Sequence, residues 1–379
     1  MKIGIFTLPL HENYGGIVQA YALQKVIRDL GHDVETINEE YHDAPLPLYR
    51  VVGRFVKGVL RWIIRRFQGR SCYILYDEKL KELRPLLWEN PQKFVKENIA
   101  LSRKVKSPSE IKENEYDCIL VGSDQIWRPK FYWNVEDAQL YFTKSWKNVK
   151  RMTYAVSFGS DIWEYKGKDY QIIKEMLPLY EALSFRETSG VEMCYQHFGL
   201  ESLQHIDPTM LLQKDDYIKL LKKSNMPKSE GNLFYYVLDE TIEKRNMAYT
   251  ISKMKGLKMF EIMPSKKNEY FLIEDRKVKP VEAWLRSFYD ADYVVTDSFH
   301  GCVFSILFEK QFVVYGNKKR GLSRFETLLK TFHLEDRLIS SIDDLSHISG
   351  TIDYSAVNII LESKRKEAFS YLTLHLNSL

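Results

Sequence analysis

The sequence lacks the motifs that mark the common nucleotide- and metal-dependent enzymes. Neither G-x-x-x-x-G-K-[ST] nor G-x-G-x-x-G occurs, and His11-Glu12 is not followed by a second histidine at the spacing of H-E-x-x-H. These absences remove most of the support for P-loop phosphoryl transfer and for metal-dependent hydrolysis. The 4 cysteines form no C-x-x-C pair, so neither a zinc site nor a disulfide framework is indicated, and we expect reduced thiols at Cys72, Cys118, Cys194 and Cys302.

Long apolar runs are also absent. The first apolar run meets His11, Glu12 and Asn13 before a signal-peptide core forms, and no stretch reaches the roughly 18 apolar residues needed to span a bilayer. A net charge of +4 is small for 379 residues, which argues against a DNA or RNA partner and weakly favours an anionic small molecule or a membrane surface. We expect a cytoplasmic protein.

The chain does contain the alternating strands and helices of an α/β fold. "KIGIFTL", the loop "PLHENYGG", the apolar-periodic "IVQAYALQKVIRDLGH" and "DVETIN" predict a β-loop-α-β opening, and similar strands recur at "DCILVG", "YAVSFG", "LFYYVLD", "YVVT" and "QFVVYG". A polar break falls near residues 213–232. The pattern predicts two doubly wound lobes at residues 1–215 and 216–350, with a basic amphipathic insertion at about 45–100, and a C-terminal helix at 351–379 that packs back on the first lobe.

The segment "YRVVGRFVKGVLRWIIRRFQGR", about residues 50–70, has helical spacing of apolar residues beside a basic stripe. Such a pattern is typical of a helix that lies on an anionic membrane, with its basic side in contact with the headgroups. A surface helix that packs its apolar side on the core and exposes its charges has the same pattern, so both interpretations stay open.

Polar residues follow the predicted strands where parallel sheets carry their ligands. In "VVTDSFHGCVFSILF", Asp297 and Ser298 are expected to cap a helix, and His300 is expected to project into a crevice at the strand end. An imidazole there suits general acid-base catalysis, although a histidine with only a structural role in the core is the alternative. Asp124 in "GSDQIW" has the same two interpretations, with helix capping as its structural alternative.

Cationic residues at loop positions predict an anion site. Arg186 directly follows an apolar strand, and "NKKRGLSRFETLL" places Arg320 and Arg324 beside the start of a helix, where backbone N–H groups favour anions. Ser323 is expected as the N-cap of that helix. A structural ion pair is the alternative for Arg186 and Arg324, and a solvated loop is the alternative for Lys318 and Lys319.

Taken together, these segments resemble the polysaccharide pyruvyltransferase family. The similarity lies in "NYGGIVQAYALQ", "DCILVGSDQIWRP", "LSFRETSG", "IDPTMLL", "VVTDSFHGCVFSILF" and "SRFETLL", in this order from about residue 3 to residue 330. The resemblance implies a GT-B-like fold with the active site in the cleft between the lobes. It also implies transfer of a pyruvyl group from phosphoenolpyruvate onto two hydroxyls of a sugar as a cyclic ketal.

The resemblance further implies roles for individual residues. His300 would be the acid-base residue, Asp124 the acidic residue that orients an acceptor hydroxyl, and Arg186 the anion-binding arginine. Members of the family have an arginine where this chain has Ser298, and Arg320 or Arg324 are expected to supply that charge. The remaining residues expected to bind substrate lie in the matching motifs: Asn13, Tyr14, Gly15, Gly16, Ser123, Ser298 and Ser323.

The implied chemistry needs no metal or other cofactor, because arginines neutralise the phosphate. The expected acceptor is a lipid-linked saccharide of capsule or surface-polysaccharide assembly, and residues 50–70 are expected to hold the enzyme at the inner face of the membrane. Two alternatives remain at this stage. One is a glycosyltransferase that uses a nucleotide sugar in the same fold, and the other is a non-catalytic polysaccharide-assembly protein.

Overall fold

A computed structural model describes residues 1–40, 48–69, 73–132, 134–264, 273–316, 321–348 and 350–377. The strands within these ranges are β1 Lys2–Phe6, β2 Asp33–Glu39, β3 Leu101–Val105, β4 Cys118–Val121, β5 Lys150–Thr153, β6 Ser184–Phe185, β7 Leu203–Gln204, β8 Leu233–Tyr236, β9 Met259–Phe260, β10 Tyr293–Thr296, β11 Gln311–Tyr315 and β12 Leu338–Ile339. The helices are α1 Tyr14–Asp29, α2 Leu48–Phe67, α3 Tyr76–Leu87, α4 Glu89–Asn98, α5 Val135–Ala138, α6 Gly167–Met176, α7 Thr188–Phe198, α8 Lys214–Ser224, α9 Ile242–Lys255, α10 Ile273–Arg276, α11 Val281–Asp290, α12 Phe299–Leu307, α13 Ser323–Thr331 and α14 Tyr354–Asn377.

The N-terminal lobe is built on a parallel sheet with the strand order β3-β2-β1-β4-β5. Strand β1 is central, and Ile3 pairs with Val34 on one side and with Cys118 on the other. The strands read as continuous apolar runs because helices cover both faces of a parallel sheet. Isolated bridges from Met152 to Ala182 and from Val156 to Phe185 connect β5 and the residues after it to the β6-β7 pair.

The C-terminal lobe has a second parallel sheet, with the strand order β12-β11-β10-β8-β9. Strand order reverses between β1 and β4 in the first lobe and between β8 and β10 in the second. Ligands of doubly wound sheets bind in the crevice beyond the strands at such reversals. The predicted α/β architecture of two doubly wound lobes is therefore confirmed, and the loops after these four strands surround the crevice.

Apolar and polar contacts join the two lobes. The ring of Tyr14 stacks on Trp284 at 5.6 Å between centroids, and its hydroxyl donates to the carbonyl of Lys279 at 2.9 Å. The last helix, α14, returns to the first lobe, where Arg365 donates to the carbonyl of Met210 and Tyr371 donates to that of Thr153. The crevice is thus framed by two lobes that contact each other directly.

The polar stretch at 213–232 contains helix α8, whose Tyr217 and Leu221 are buried. Among the described residues Cys118, Cys194 and Cys302 are buried free thiols, whereas Cys72 lies outside them. No helix in the described part of the chain has an apolar stretch long enough to cross a bilayer.

Candidate active site between the two lobes

His300 lies in the first turn of α12, immediately beyond the buried strand β10. The hydroxyl of Ser298 accepts from the backbone N–H of Gly301 at 3.3 Å, so Ser298 is the N-cap of this helix, as its motif predicts. The side chain of His300 faces the first lobe, and its Nε2 is 3.4 Å from Oδ2 of Asp207. This nitrogen is buried and makes no aligned hydrogen bond with a described residue.

Asp297 does not cap α12, and the expectation that it would is wrong. Its carboxylate accepts from the backbone N–H groups of Leu238 and Asp239, at 2.6 and 3.1 Å, and from Nζ of Lys244 at 2.7 Å. A carboxylate that is fully buried requires such partners. Asp297 therefore fixes the loop after β8 against β10 and has a structural role inside the second lobe.

The start of α1 forms the wall against which the His300 ring packs. Asn13 caps α1 by accepting from the backbone N–H of Gly16 at 3.3 Å, which places Gly15 against the ring. A Cβ atom added to Gly15 would lie 2.1 Å from Nδ1 of His300, whereas one added to Gly16 would meet Asn13 at an ordinary 3.5 Å. The glycine at position 15 is thus required by the approach of an imidazole from the other lobe.

Arg186 joins two carboxylates at the base of the site. Its Nη1 donates to Oδ2 of Asp207 at 2.8 Å and its Nη2 donates to Oδ1 of Asp124 at 2.9 Å. The same Asp207 oxygen is the one nearest His300, so the guanidinium and the imidazole share one carboxylate. The guanidinium also lies 4.3 Å from the centre of the Phe299 ring, a cation-π distance.

Arg324 approaches this cluster from α13. Its Nη1 is 3.9 Å from Oδ1 of Asp124, and its guanidinium is 5.6 Å from the centre of the Phe299 ring. The structure therefore brings together His300, Asp124, Arg186 and Arg324, which the sequence places far apart. Arg320 lies outside the described residues, as do Lys318 and Lys319.

Burial and opposite charges compete in setting the pKa values of this cluster. Burial alone would raise the pKa of Asp124 and of Asp207. The positive charges of Arg186 and His300 outweigh burial and lower the pKa of both carboxyl groups, with Arg324 adding to the effect at Asp124. Both aspartates are therefore anionic at neutral pH. Burial and the neighbouring Arg186 lower the pKa of Arg324 to about 10, which still leaves it charged.

Glu187 is a further buried carboxyl group beside Arg186. It accepts from the hydroxyl of Ser157 at 2.7 Å, and burial raises its pKa despite the attraction of the neighbouring arginines. The hydroxyl of Ser157 also accepts from the backbone N–H of Gly159 at 2.9 Å. Ser157 thus connects the loop after β5 to Glu187, the N-cap of α7.

Several residues expected to bind substrate are engaged elsewhere. Ser123 is fully buried, and its hydroxyl donates to the carbonyl of Ala155 at 2.6 Å, which gives it a role in holding the loop after β4. Tyr14 uses its hydroxyl in the contact with the second lobe described above. Ser323 is the first residue of α13, whose N-cap is Leu322, so its expected capping role is wrong. Its buried hydroxyl has no hydrogen-bond partner among the described residues.

Asp207 belongs to this cluster, although its sequence context does not single it out. In the sequence it precedes Pro208 and predicts only a turn, and it does accept from the backbone N–H of Thr209 at 3.0 Å. The turn uses Oδ1, and the other oxygen contacts Arg186 and His300. The one available signal was an acidic residue placed between the apolar Ile206 and a proline, at a position that folds to full burial.

A cavity of about 480 Å³ lies between the lobes beside this cluster. His300 is not part of its wall, but Asn13 and Tyr14, the two residues that precede Gly15, are. The first lobe adds Arg84 and Trp88, and the second lobe adds Tyr236 and Arg276. The cavity is thus an aromatic and cationic space between the lobes.

The crevice and its two lobes have the architecture of GT-B proteins. The structure is similar to that of UDP-GlcNAc 2-epimerase from Neisseria meningitidis bound to UDP-GlcNAc, with a TM-score of 0.52, 9% identity and 100% of each chain covered. Arabidopsis thaliana UGT89C1 complexed with UDP has a TM-score of 0.46 at 11% identity, with 98% of each chain covered. MurG from Acinetobacter baumannii has a TM-score of 0.43 at 8% identity, with 100% of each chain covered. At sequence identities this low, the similarity concerns the fold alone.

Within this class, the sequence itself defines the family. The family model described as polysaccharide pyruvyl transferase matches residues 13–319, a range that includes Asp124, Arg186 and His300 and ends before Arg324. The chain belongs to the polysaccharide pyruvyl transferase family, and it is a pyruvyl transferase by that membership. No curated relative matches the sequence.

Proposed function

We propose that this protein transfers a pyruvyl group from phosphoenolpyruvate to two hydroxyls of a saccharide, forming a cyclic ketal and releasing inorganic phosphate. One observation carries the proposal. The Nε2 atom of His300 is 3.4 Å from Asp207, in a buried cluster that also contains Arg186 and Arg324. A proton donor and cations in one crevice are what this donor molecule requires, and family membership supports the reaction class.

The reaction begins with the enol carbon-carbon bond of the donor. We assign His300 to protonate the methylene carbon, which turns it into a methyl group and leaves positive charge on the neighbouring carbon. One acceptor hydroxyl bonds to that carbon and returns its proton to His300. The second hydroxyl then displaces phosphate from the same carbon, its proton leaves with the phosphate, and the ring closes. Proton transfer of this kind typically contributes roughly 10²- to 10⁴-fold to the rate.

The carboxylate of Asp207 lies 3.4 Å from Nε2 of His300 and is itself held by Nη1 of Arg186 at 2.8 Å. A carboxylate held beside one ring nitrogen orients the imidazole and sets which nitrogen carries the proton. We therefore assign Asp207 as a positioning residue for the acid-base group.

We propose different roles for Arg186 and Arg324. Both terminal nitrogens of Arg186 donate to carboxylates at 2.8 and 2.9 Å, so we assign it to position Asp124 and Asp207. We assign Arg324, whose Nη1 is 3.9 Å from Oδ1 of Asp124, to the phosphate or carboxylate of the donor. Arg320 remains a proposed second cation, because Ser298 stands where members of the family have an arginine.

We place the acceptor saccharide in the interlobe cavity. Its aromatic wall, with Tyr14, Trp88 and Tyr236, offers flat apolar surfaces to the C–H faces of a sugar ring, and its arginines offer donors to hydroxyls. Asn13 and Tyr14 belong to both the cavity wall and the chain segment that contacts His300, so a sugar in the cavity has a short path to the acid-base group. We propose a lipid-linked saccharide of surface or capsular polysaccharide assembly as the natural acceptor.

A phosphate-release assay tests the proposal. The protein is incubated with phosphoenolpyruvate and a panel of aryl and lipid-linked glycosides, and mass spectrometry detects the acceptor with an added pyruvyl ketal. We expect phosphate release that depends on the acceptor and is lost in His300→Gln. Thermal-shift measurements with phosphoenolpyruvate, UDP and GDP run in parallel. Stabilisation by a nucleoside diphosphate together with no ketal product would contradict the proposal and favour a glycosyltransferase.

We further propose that the reaction needs no metal ion. In the described part of the chain, no group of three or more His, Cys, Asp and Glu side chains is arranged to hold one. Turnover with excess chelator is expected to equal turnover without it. A loss of activity that added divalent cation restores would show that the arginines do not neutralise the donor alone.

A further inference from the structure

Helix α2 presents its apolar side to solvent. Leu48 and Phe67, near its two ends, are 79% and 88% exposed, and between them Phe55 and Trp62 are 48% and 41% exposed. Of its residues only Gly58 is buried. Monomeric proteins rarely leave so many large apolar side chains together on the surface without a binding role. The exposure excludes the alternative in which this helix packs its apolar side on the core of the same chain.

The remaining side of α2 is strongly basic. Six arginines and lysines occur between residues 48 and 67, and no aspartate or glutamate occurs between residues 48 and 69. Arg50, Lys57 and Arg66 are exposed. Spacing at 100° per residue places most of these charges on one side and the large apolar residues on the other. The combination of exposed apolar residues and a basic side matches the interface of an anionic bilayer.

Helix α2 is attached next to the wall of the interlobe cavity. A Cβ atom at Gly58 would lie 2.0 Å from the carbonyl oxygen of Ile74, and the guanidinium of Arg61 donates to the carbonyl of Tyr73 at 3.0 Å. These two carbonyls immediately precede α3, and α3 lines the cavity with Leu80 and Arg84. Helix α2 therefore contacts the short segment that leads into α3, and α3 lines the cavity.

We propose that α2 docks on an anionic lipid bilayer, with its apolar side in the headgroup region, and so presents the interlobe cavity to a saccharide carried by a lipid. The part that concerns the saccharide rests on the proposed function. A second copy of the chain is disfavoured as the occupant, because pairing the apolar sides of two α2 helices would leave the basic side of each helix without an anionic partner, whereas an anionic bilayer matches both sides. The basic residues also oppose insertion across the bilayer.

Vesicle flotation with the full-length protein tests the docking. Wild type is expected to float with vesicles containing phosphatidylglycerol and to stay in solution with phosphatidylcholine alone. The triple variant Arg50→Gln, Lys57→Gln and Arg66→Gln should bind anionic vesicles roughly 100-fold more weakly, because each basic residue near the surface contributes about fivefold. The matched control removes three exposed lysines outside α2, at Lys222, Lys253 and Lys366, and should bind within about twofold of wild type.

A second variant separates the apolar contribution. Phe55→Ser with Trp62→Ser keeps every charge and is expected to lose at least tenfold in vesicle binding. Equal binding by wild type and both α2 variants would overturn the proposal. So would a dimer in sedimentation experiments that dissociates on Phe55→Ser with Trp62→Ser while vesicle binding is retained, since the apolar side would then be an interface between copies.

Turnover with two acceptors distinguishes this inference from the proposed function. The α2 variants are expected to retain wild-type turnover of a water-soluble aryl glycoside and to lose turnover of a lipid-linked glycoside in vesicles. If wild type binds vesicles but forms no ketal with either acceptor, the docking stands and the proposed function fails. If ketal forms but the variants turn over both acceptors like wild type, the docking inference fails alone.

Discussion

Gly15→Ala offers a sharp test of the proposed acid-base residue, because it moves His300 without altering it. The new Cβ atom would lie 2.1 Å from Nδ1 and 2.3 Å from Cγ of the imidazole, whereas ordinary contact begins near 3.4 Å. The backbone of α1 is fixed by the Asn13 cap, so the ring has to move by roughly 1 Å. A displacement of that size at a reacting group costs about 100-fold in rate.

The effect on folding should be small by comparison. Alanine at a helical position gains up to about 1 kcal/mol over glycine, and overpacking a buried site costs about 1–3 kcal/mol. These contributions to the free energy of unfolding partly cancel. We therefore expect kcat/KM to fall about 100-fold, equivalent to about 2.7 kcal/mol of transition-state stabilisation, in a protein that remains folded.

Gly16→Ala is the matched control. The substitution is the same and the residue is the next in the same helical turn, but its Cβ atom would meet Asn13 at 3.5 Å, an ordinary contact. Phosphate release from phosphoenolpyruvate and urea unfolding are measured for both variants. Activity of Gly15→Ala within a few-fold of wild type would refute the argument that the imidazole acts from its observed position.

Further variants test individual contacts of the site. His300→Gln should lower kcat/KM by roughly 10²- to 10⁴-fold with unchanged circular dichroism, and wild-type turnover in this variant would contradict the acid-base role. Arg324→Gln should mainly raise KM for phosphoenolpyruvate, and an unchanged KM would place the donor elsewhere. Lys244→Met leaves the buried carboxylate of Asp297 without its cation and should lower the free energy of unfolding by about 3–5 kcal/mol in urea, while the folded fraction keeps its activity. Because the pKa of Asp207 is lowered on folding, its contribution to stability is present above about pH 4 and is lost as pH falls further, so the wild-type urea midpoint should fall with acid more steeply than that of Asp207→Asn.

The sequence predicts which distant residues meet at the crevice wherever the preceding strand can be recognised. Buried parallel strands are continuous apolar runs, and "CILV" and "YVVT" identify β4 and β10 because charged residues interrupt the chain on both sides. Once the strands are known, the residues after them must lie at one edge of each sheet. Asp124 and His300 could therefore be placed near a crevice before their contacts were known.

The partners within the site could not be predicted in the same way. Asp207 follows no strand of the main sheets, and its contact with His300 depends on how the second lobe docks on the first. The same docking gives Gly15 its function as a wall for the imidazole. The predicted anion-binding role of Arg186 also changes with tertiary context, because two carboxylates occupy its terminal nitrogens. Contacts between lobes have no local sequence pattern.

The charges of the cluster place a condition on donor binding. Arg186 and Arg324 are opposed by Asp124 and Asp207, whose lowered pKa values keep both carboxylates ionised at neutral pH. The positive charges are thus already balanced within the protein, and a donor that carries both phosphate and carboxylate adds negative charge to a buried crevice. The bound donor therefore needs a positive charge beyond those of Arg186 and Arg324. Arg320, the proposed second cation, is the residue that we expect to supply it, so Arg320→Gln should raise KM for phosphoenolpyruvate further when it is combined with Arg324→Gln.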